Sequence, residues 1–251
     1  MRVYLAGRVC AEHDGRLLDE RELPGAQGRL AFALLASEHR RAVSRDELVE
    51  ELWGETAPPA WDTALRALVS KVRAKLAGIG LTGSEIISHA FGCYQLHLPE
   101  GTWVDLEAAT EALHSAEAAI RSGNREKAAG WALAARAIAG RPFLTDAEGP
   151  WASAMRSKLR ETDVRALECL CDIWTWSGDV ALAVRDAEIA VSLEPFRESS
   201  YRHLMRAFAA AGNRAEALLA YERCRRLLAE ELGVDPSPET QFLYLELMHL
   251  A

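Results

Sequence analysis

"VSRDELVEELWGETAPPAWDTALRALVSKVRAKLAG", residues 43–78, carries two helix signals separated by a break. Ser44 precedes an apolar-periodic run and Glu47 follows three residues later. That spacing predicts a capping box: the Ser44 hydroxyl accepts from the Glu47 amide, and the Glu47 carboxylate reaches back. The stretch 57–62, "APPAWD", then breaks the chain and starts another helix, with Pro tolerated in its first turn. On a wheel of 100° per residue, Trp61, Leu65, Leu68, Val69, Val72 and Leu76 cover one face of this second helix. Arg66, Ser70 and Arg73 form a line on the opposite face, flanked by the small Thr63, Ala67 and Ala74 and bordered by Lys71 and Lys75. Residues 63–76 hold four cations and no anion.

The rest of the chain is acidic. Its 251 residues contain 37 Asp and Glu against 29 Lys and Arg, a formal net charge of −8. The imbalance is uneven: residues 1–100 carry 12 basic and 14 acidic side chains, residues 101–251 carry 17 and 23. A local cationic surface can therefore meet phosphate while the acidic remainder lowers non-specific affinity. Arg suits bidentate contact with guanine O6 and N7, Lys a point contact to phosphate, and small flanking residues let a helix backbone sink into a groove. A solvated helix face would show the same charges. The order of the surrounding elements weighs against that plainer reading.

Upstream, "VYLAGRVCAEHDGRLLDERELP" (3–24) alternates short apolar runs around Asp14-Gly15, the signature of a hairpin. "GRLAFALLASEH" (28–39) places Leu30, Leu34, Leu35 and the smaller Ala33 in a helical pattern. Downstream, "EIISHAFGCYQLHL" (85–98) has two β-rich runs around Phe91-Gly92, a second hairpin. Sheet, three helices with the third basic, then a hairpin is the order of a winged helix-turn-helix, whose third helix enters the major groove and whose wing lies on the backbone.

After Asp105 the pattern is helical and repeats. Gly178-Asp179 and Gly212-Asn213 lie 34 residues apart, the tetratricopeptide period. Small residues follow each glycine at offsets of 5 and 12: Ala183 and Ala190, then Ala217 and Cys224. Gly123-Asn124 begins a weaker copy with Ala128 and Ala135. Leu170 and Trp174 ahead of one glycine correspond to Leu204 and Phe208 ahead of the next. Stacked helix pairs of this kind usually bind proteins, although the same positions would also pack a plain bundle. The expected fold class is mainly α with a small α+β part: an N-terminal winged helix-turn-helix followed by an all-α tetratricopeptide-like repeat domain. The interval "PEGTWVD" (99–105) is short, and Trp103 and Val104 are expected to be buried.

Other chemistries find no support. Five cysteines at 10, 93, 169, 171 and 224 form no Cys-x-x-Cys pair and read as buried small hydrophobes. No His-x-x-x-His pair, Gly-rich Lys loop or Gly-x-Ser-x-Gly occurs, so no metal, cofactor or enzyme activity is expected. No apolar run of about 18 residues occurs, and the first residues lack a signal-peptide core, so a cytoplasmic protein without membrane contact is expected.

Residues 43–78 resemble the OmpR-type winged helix of the Streptomyces antibiotic regulatory protein family. "PFRESSYRHLMRAFAAAGNRAEALLAYERCRRLLAEELGVDPSPET" (195–240) resembles the bacterial transcriptional activation domain joined to it. The resemblance implies a winged-helix DNA-binding domain over 1–100 and an activation domain over 101–251. It implies a transcriptional activator that binds double-stranded promoter DNA at direct repeats, often as a side-by-side homodimer. RNA polymerase would be recruited through the sigma factor and the C-terminal domain of the alpha subunit, at the nucleoid and for a biosynthetic gene cluster. Thr63, Arg66, Ser70, Lys71, Arg73 and Lys75 would contact DNA, with His89 and Tyr94 of the hairpin on the adjacent backbone or minor groove. Family recognition helices carry His where Leu68 stands and Gln where Arg66 stands, and the wing's Gly-Tyr pair is Cys93-Tyr94 here. The alternatives are a protein-interaction adaptor with a degenerate winged helix, and a ligand sensor with a pocket among the helices.

Overall fold

The computed structural model describes residues 1–83 and 86–249; Glu85, at the head of the expected second hairpin, and Ala251 lie outside them. The chain forms two compact units, Met1–Ala108 with Ile138–Leu159, and Ala109–Ala137 with Arg160–Ala251.

The described residues of the first unit form two small sheets and three complete α-helices, with parts of others. Strands β1 (Arg2–Tyr4), β2 (Cys10–His13), β3 (Arg16–Leu18) and β7 (Trp103–Val104) form a sheet of order β3-β2-β1-β7. Only β1 and β7 run parallel. Asp14 and Gly15 make the β2–β3 turn, both in the left-handed region. Strands β4 (Val43–Ser44), β5 (Ile87–Ala90) and β6 (Cys93–Leu96) form an antiparallel sheet of order β4-β6-β5. Helices α1 (Gly25–Ser37), α2 (Arg45–Trp53) and α3 (Trp61–Gly78) share one core, in which Phe32, Leu34, Leu48, Leu65, Leu76 and Leu96 are fully buried. Burying a side chain of this size stabilises the fold by about 1.5–3 kcal/mol.

Three local expectations change. Ser44 does cap α2, accepting from the Glu47 amide at 3.1 Å, but the Glu47 carboxylate pairs with Arg41 instead of reaching back. The nearby guanidinium offers a charge-assisted partner, and its hydrogen bond is the main reason the Glu47 carboxyl sits below its usual range. A complete capping box does form elsewhere, between Asp19 and Glu22. Helix α3 begins at Trp61, so Pro58 and Pro59 precede its first turn, and the Pro58 carbonyl accepts from the Trp61 amide. Val104 is buried, whereas Trp103 is 38% exposed and lies edge-on to Tyr4 at 5.3 Å. In a two-residue strand, neighbours face opposite sides.

Asp105, fully buried, accepts the amides of Leu5 and Ala6 at about 3 Å. The segment 138–159 belongs to the same unit: Phe143 packs on Trp151, and the Glu51 carboxylate accepts the Trp151 and Ala152 amides at the start of a long helix.

The second unit is helical throughout. It draws on helices α4 (Asp105–Arg121), α5 (Arg125–Ala139) and α6 (Pro150–Ser177), then α7 (Val180–Leu193), α8 (Glu198–Ala210), α9 (Arg214–Leu232) and α10 (Pro238–His249). The repeat is visible as geometry. Gly123, Gly178 and Gly212 all take φ of 73–87°. After them, Asn124, Asp179 and Asn213 donate to the carbonyls of Ala119, Trp174 and Phe208 at 2.9 Å. This is the Schellman closure, repeated three times. The predicted small residues Ala128, Ala135, Ala183, Ala190, Ala217 and Cys224 are all buried, as are Leu170 and Leu204. Cys169 and Cys171 enter different hydrophobic clusters, and burial pushes both thiols up to about 12. Cys93 alone among the five is only partly covered.

Candidate nucleic-acid interface

Helix α3 buries the face drawn from its sequence: Leu65, Val69, Val72 and Leu76 at 2% exposure or less, and Leu68 at 8%. Leu68 is therefore a core residue at the edge of the apolar face, and no polar contact is expected from it. Thr63, Arg66, Ser70, Lys71 and Lys75 all lie exposed on the other side. Among the described residues, Lys71 and Lys75 have no ion-pair partner.

The N-terminal end of α3 is braced by charge. Asp62, the acidic residue of its first turn, pairs with Arg45 of α2 and with Arg66 one turn on at 2.9 Å. Arg45 also lies over the Trp61 ring at 5.0 Å. This role of Arg45 has no local sequence signal, because its partners Asp62 and Trp61 come from the next helix.

The wing is tied to the same helix. Arg73 Nη2 donates to the Ile87 carbonyl of β5 at 2.6 Å, so Arg73 is half-buried and faces the sheet. His89 is exposed and its ring lies 4.6 Å from that of Tyr94. Tyr94 itself is 4% exposed, because strand alternation turns it inward opposite Val43 and His89. It offers little surface to a ligand and supports His89 from below. Arg66, Val69, Arg73, His89 and Tyr94 together line a hollow of about 400 Å³ between helix and hairpin. The eight expected contact residues thus divide. Thr63, Arg66, Ser70, Lys71, Lys75 and His89 are presented outward, while Arg73 and Tyr94 hold the helix and wing in place.

A second hollow, of about 520 Å³, is lined by Glu50, Glu51, Asp146 and Glu148 with Trp53. Of the seven tryptophans, Trp53 lines this hollow, and Trp151 packs on Phe143. Among the described residues no group of His, Cys, Asp and Glu could hold a metal ion, and no helix is long and apolar enough to cross a membrane.

Comparison with known proteins places these features in context. A family model of the bacterial transcriptional activator domain matches residues 104–248. A model described as transcriptional regulatory protein, C terminal, matches residues 22–96. The regulatory protein AfsR of Streptomyces coelicolor is 32% identical over 97% of this chain and 24% of its own length. The regulatory protein DnrI of Streptomyces peucetius is 24% identical over 97% of this chain and 90% of its own. The structure of Mycobacterium tuberculosis EmbR in complex with a low affinity phosphopeptide superposes with a TM-score of 0.86 and 25% identity. That match covers 97% of this chain and 64% of that one. The chain thus spans about a quarter of the length of AfsR.

Proposed function

The chain belongs to the Streptomyces antibiotic regulatory protein family, which joins an OmpR-type winged helix to a bacterial transcriptional activator domain, and from that premise we propose that it is a sequence-specific DNA-binding activator. The observation that carries the reading is the outward face of α3, where Lys71 and Lys75 lie exposed, with no carboxylate partner among the described residues, beside Thr63, Arg66 and Ser70. A helix with small residues at its centre and cations at its edges fits the major groove, with Arg66 reading a base and the lysines neutralising phosphates. Arg66 is already held by Asp62, so base contact exchanges one partner for another.

In this reading residues 1–100 bind promoter direct repeats, with the wing on the adjacent minor groove or backbone. Residues 101–251 supply the surface for a side-by-side dimer and for RNA polymerase, through its sigma factor and the C-terminal domain of its alpha subunit. Weak contacts suffice there, because the promoter holds both partners at high effective concentration. The protein then works at the nucleoid.

In vitro transcription tests this. On a template carrying a duplex that the full chain selects from a random-sequence pool, transcript yield should rise with occupancy of the site. Occupancy without a change in yield would leave DNA binding intact and remove activation.

A further inference from the structure

The two hairpins of the first unit share a turn geometry and differ in what occupies it. Asp14 and Gly15 take φ of 47° and 75°, and Phe91 and Gly92 take 50° and 74°. Both are two-residue loops with both central residues left-handed, a geometry that Asp-Gly or Asn-Gly adopts with little strain. A bulky side chain at positive φ is strained. The Phe91 ring is also fully exposed, so burial does not offset that strain.

The tip is firmly mounted. The Gly92 carbonyl accepts from the Arg45 amide at 3.0 Å, Val43 and Ser44 pair with Tyr94 and Cys93, and Arg73 holds Ile87 from the helix side. Residues 86–99 contain no Asp, Glu, Lys or Arg. This hairpin therefore has no permanent cation with which to grip phosphate. What it presents is an apolar ring beside the exposed His89.

We propose that Phe91 is an apolar wedge that enters the minor groove next to the major groove occupied by α3 and partly unstacks one base step. The proposal rests on the DNA-binding reading and adds to it a source of specificity. Aromatic wedges open pyrimidine–purine steps such as TA and CA most easily, so Phe91 selects a flexible step that no hydrogen bond reads.

The test uses the full chain and the duplex it selects from a random-sequence pool, with 2-aminopurine placed in turn along the wing-side flank. Fluorescence should rise at one step on binding. Phe91→Asn should abolish that rise and weaken binding by about tenfold. It should melt no lower than the parent chain, because Asn suits the turn. Phe91→Trp should keep both the rise and the affinity. Phe91→Asn that binds and unstacks like the parent overturns the wedge while leaving DNA binding intact. Unchanged binding with reduced transcript yield also overturns it and assigns the ring to a protein partner. If no duplex is selected, the DNA-binding reading fails first and the wedge with it.

Discussion

The arginines of the helical repeat unit and the cations of α3 meet different surroundings. In the repeat unit, Arg136 reaches Asp186 at 3.3 Å, Arg165 reaches Glu117 at 2.6 Å, and Arg197 reaches Glu168 at 3.1 Å. Asp186 is fully buried, and Glu168 and Glu117 are partly covered. On α3, Lys71 and Lys75 stand in solvent, and Arg66 meets a carboxylate only in an exposed pair. Those three arginines thus serve cohesion, whereas the two lysines of α3 remain in solvent. Net charge hides this distinction, because it counts a consumed cation and a free one alike.

Substitutions can break the contrast, and the largest effect belongs to the repeat unit. Asp186→Ala leaves Arg136 and the Trp174 indole N–H without their buried acceptor. It should destabilise the protein by about 3–5 kcal/mol in chemical denaturation. A loss below about 1 kcal/mol would mean that these pairs behave like surface pairs. Arg66→Ala comes next. It should leave stability within about 0.5 kcal/mol yet remove about 1–3 kcal/mol of discrimination between the selected duplex and its single-base variants. Competition binding measures this, and an unaltered ranking of variants would remove Arg66 from base reading.

The smallest effect is a pH slope confined to the repeat unit. Burial disfavours the charged His203 ring, but the Asp172 hydrogen bond and the Asp172 and Glu168 charges outweigh it and hold its pKa above the ordinary 6.5. Its Nδ1 side faces the Ser199 carbonyl. The folded state therefore binds the proton more tightly than the unfolded chain. The stabilisation is complete below about pH 6.5 and is lost as pH rises through the folded-state value. Melting temperature should fall across that window, and His203→Gln should flatten the fall. An equal slope in the variant would place the titrating group elsewhere.

Much of this was legible in the sequence because it is local. The apolar face of α3 and the Asp14-Gly15 and Phe91-Gly92 turns depend on neighbours within a few residues, the glycine turns spaced by 34 residues repeat one such local closure, and all appear as read. What was not legible depends on distant partners. Glu47 was given to Ser44 by spacing but goes to Arg41 by charge. Tyr94 and Arg73 looked like surface contacts, yet strand alternation buries one and the Ile87 carbonyl engages the other. Trp103 was expected inside and lies partly outside on Tyr4. The packing of 138–159 with the first unit and the hold of Asp105 on Leu5 and Ala6 join residues about 100 positions apart, which no periodicity announces.

The salt dependence of DNA binding tests the central claim, that the free cations of α3 meet phosphate, most directly. For the full chain and its selected duplex, log affinity should fall linearly with log salt between about 50 and 200 mM. Lys71→Ala and Lys75→Ala should each reduce the slope by about 1 with unchanged melting temperature. Slopes identical to the parent in both folded variants would contradict the account.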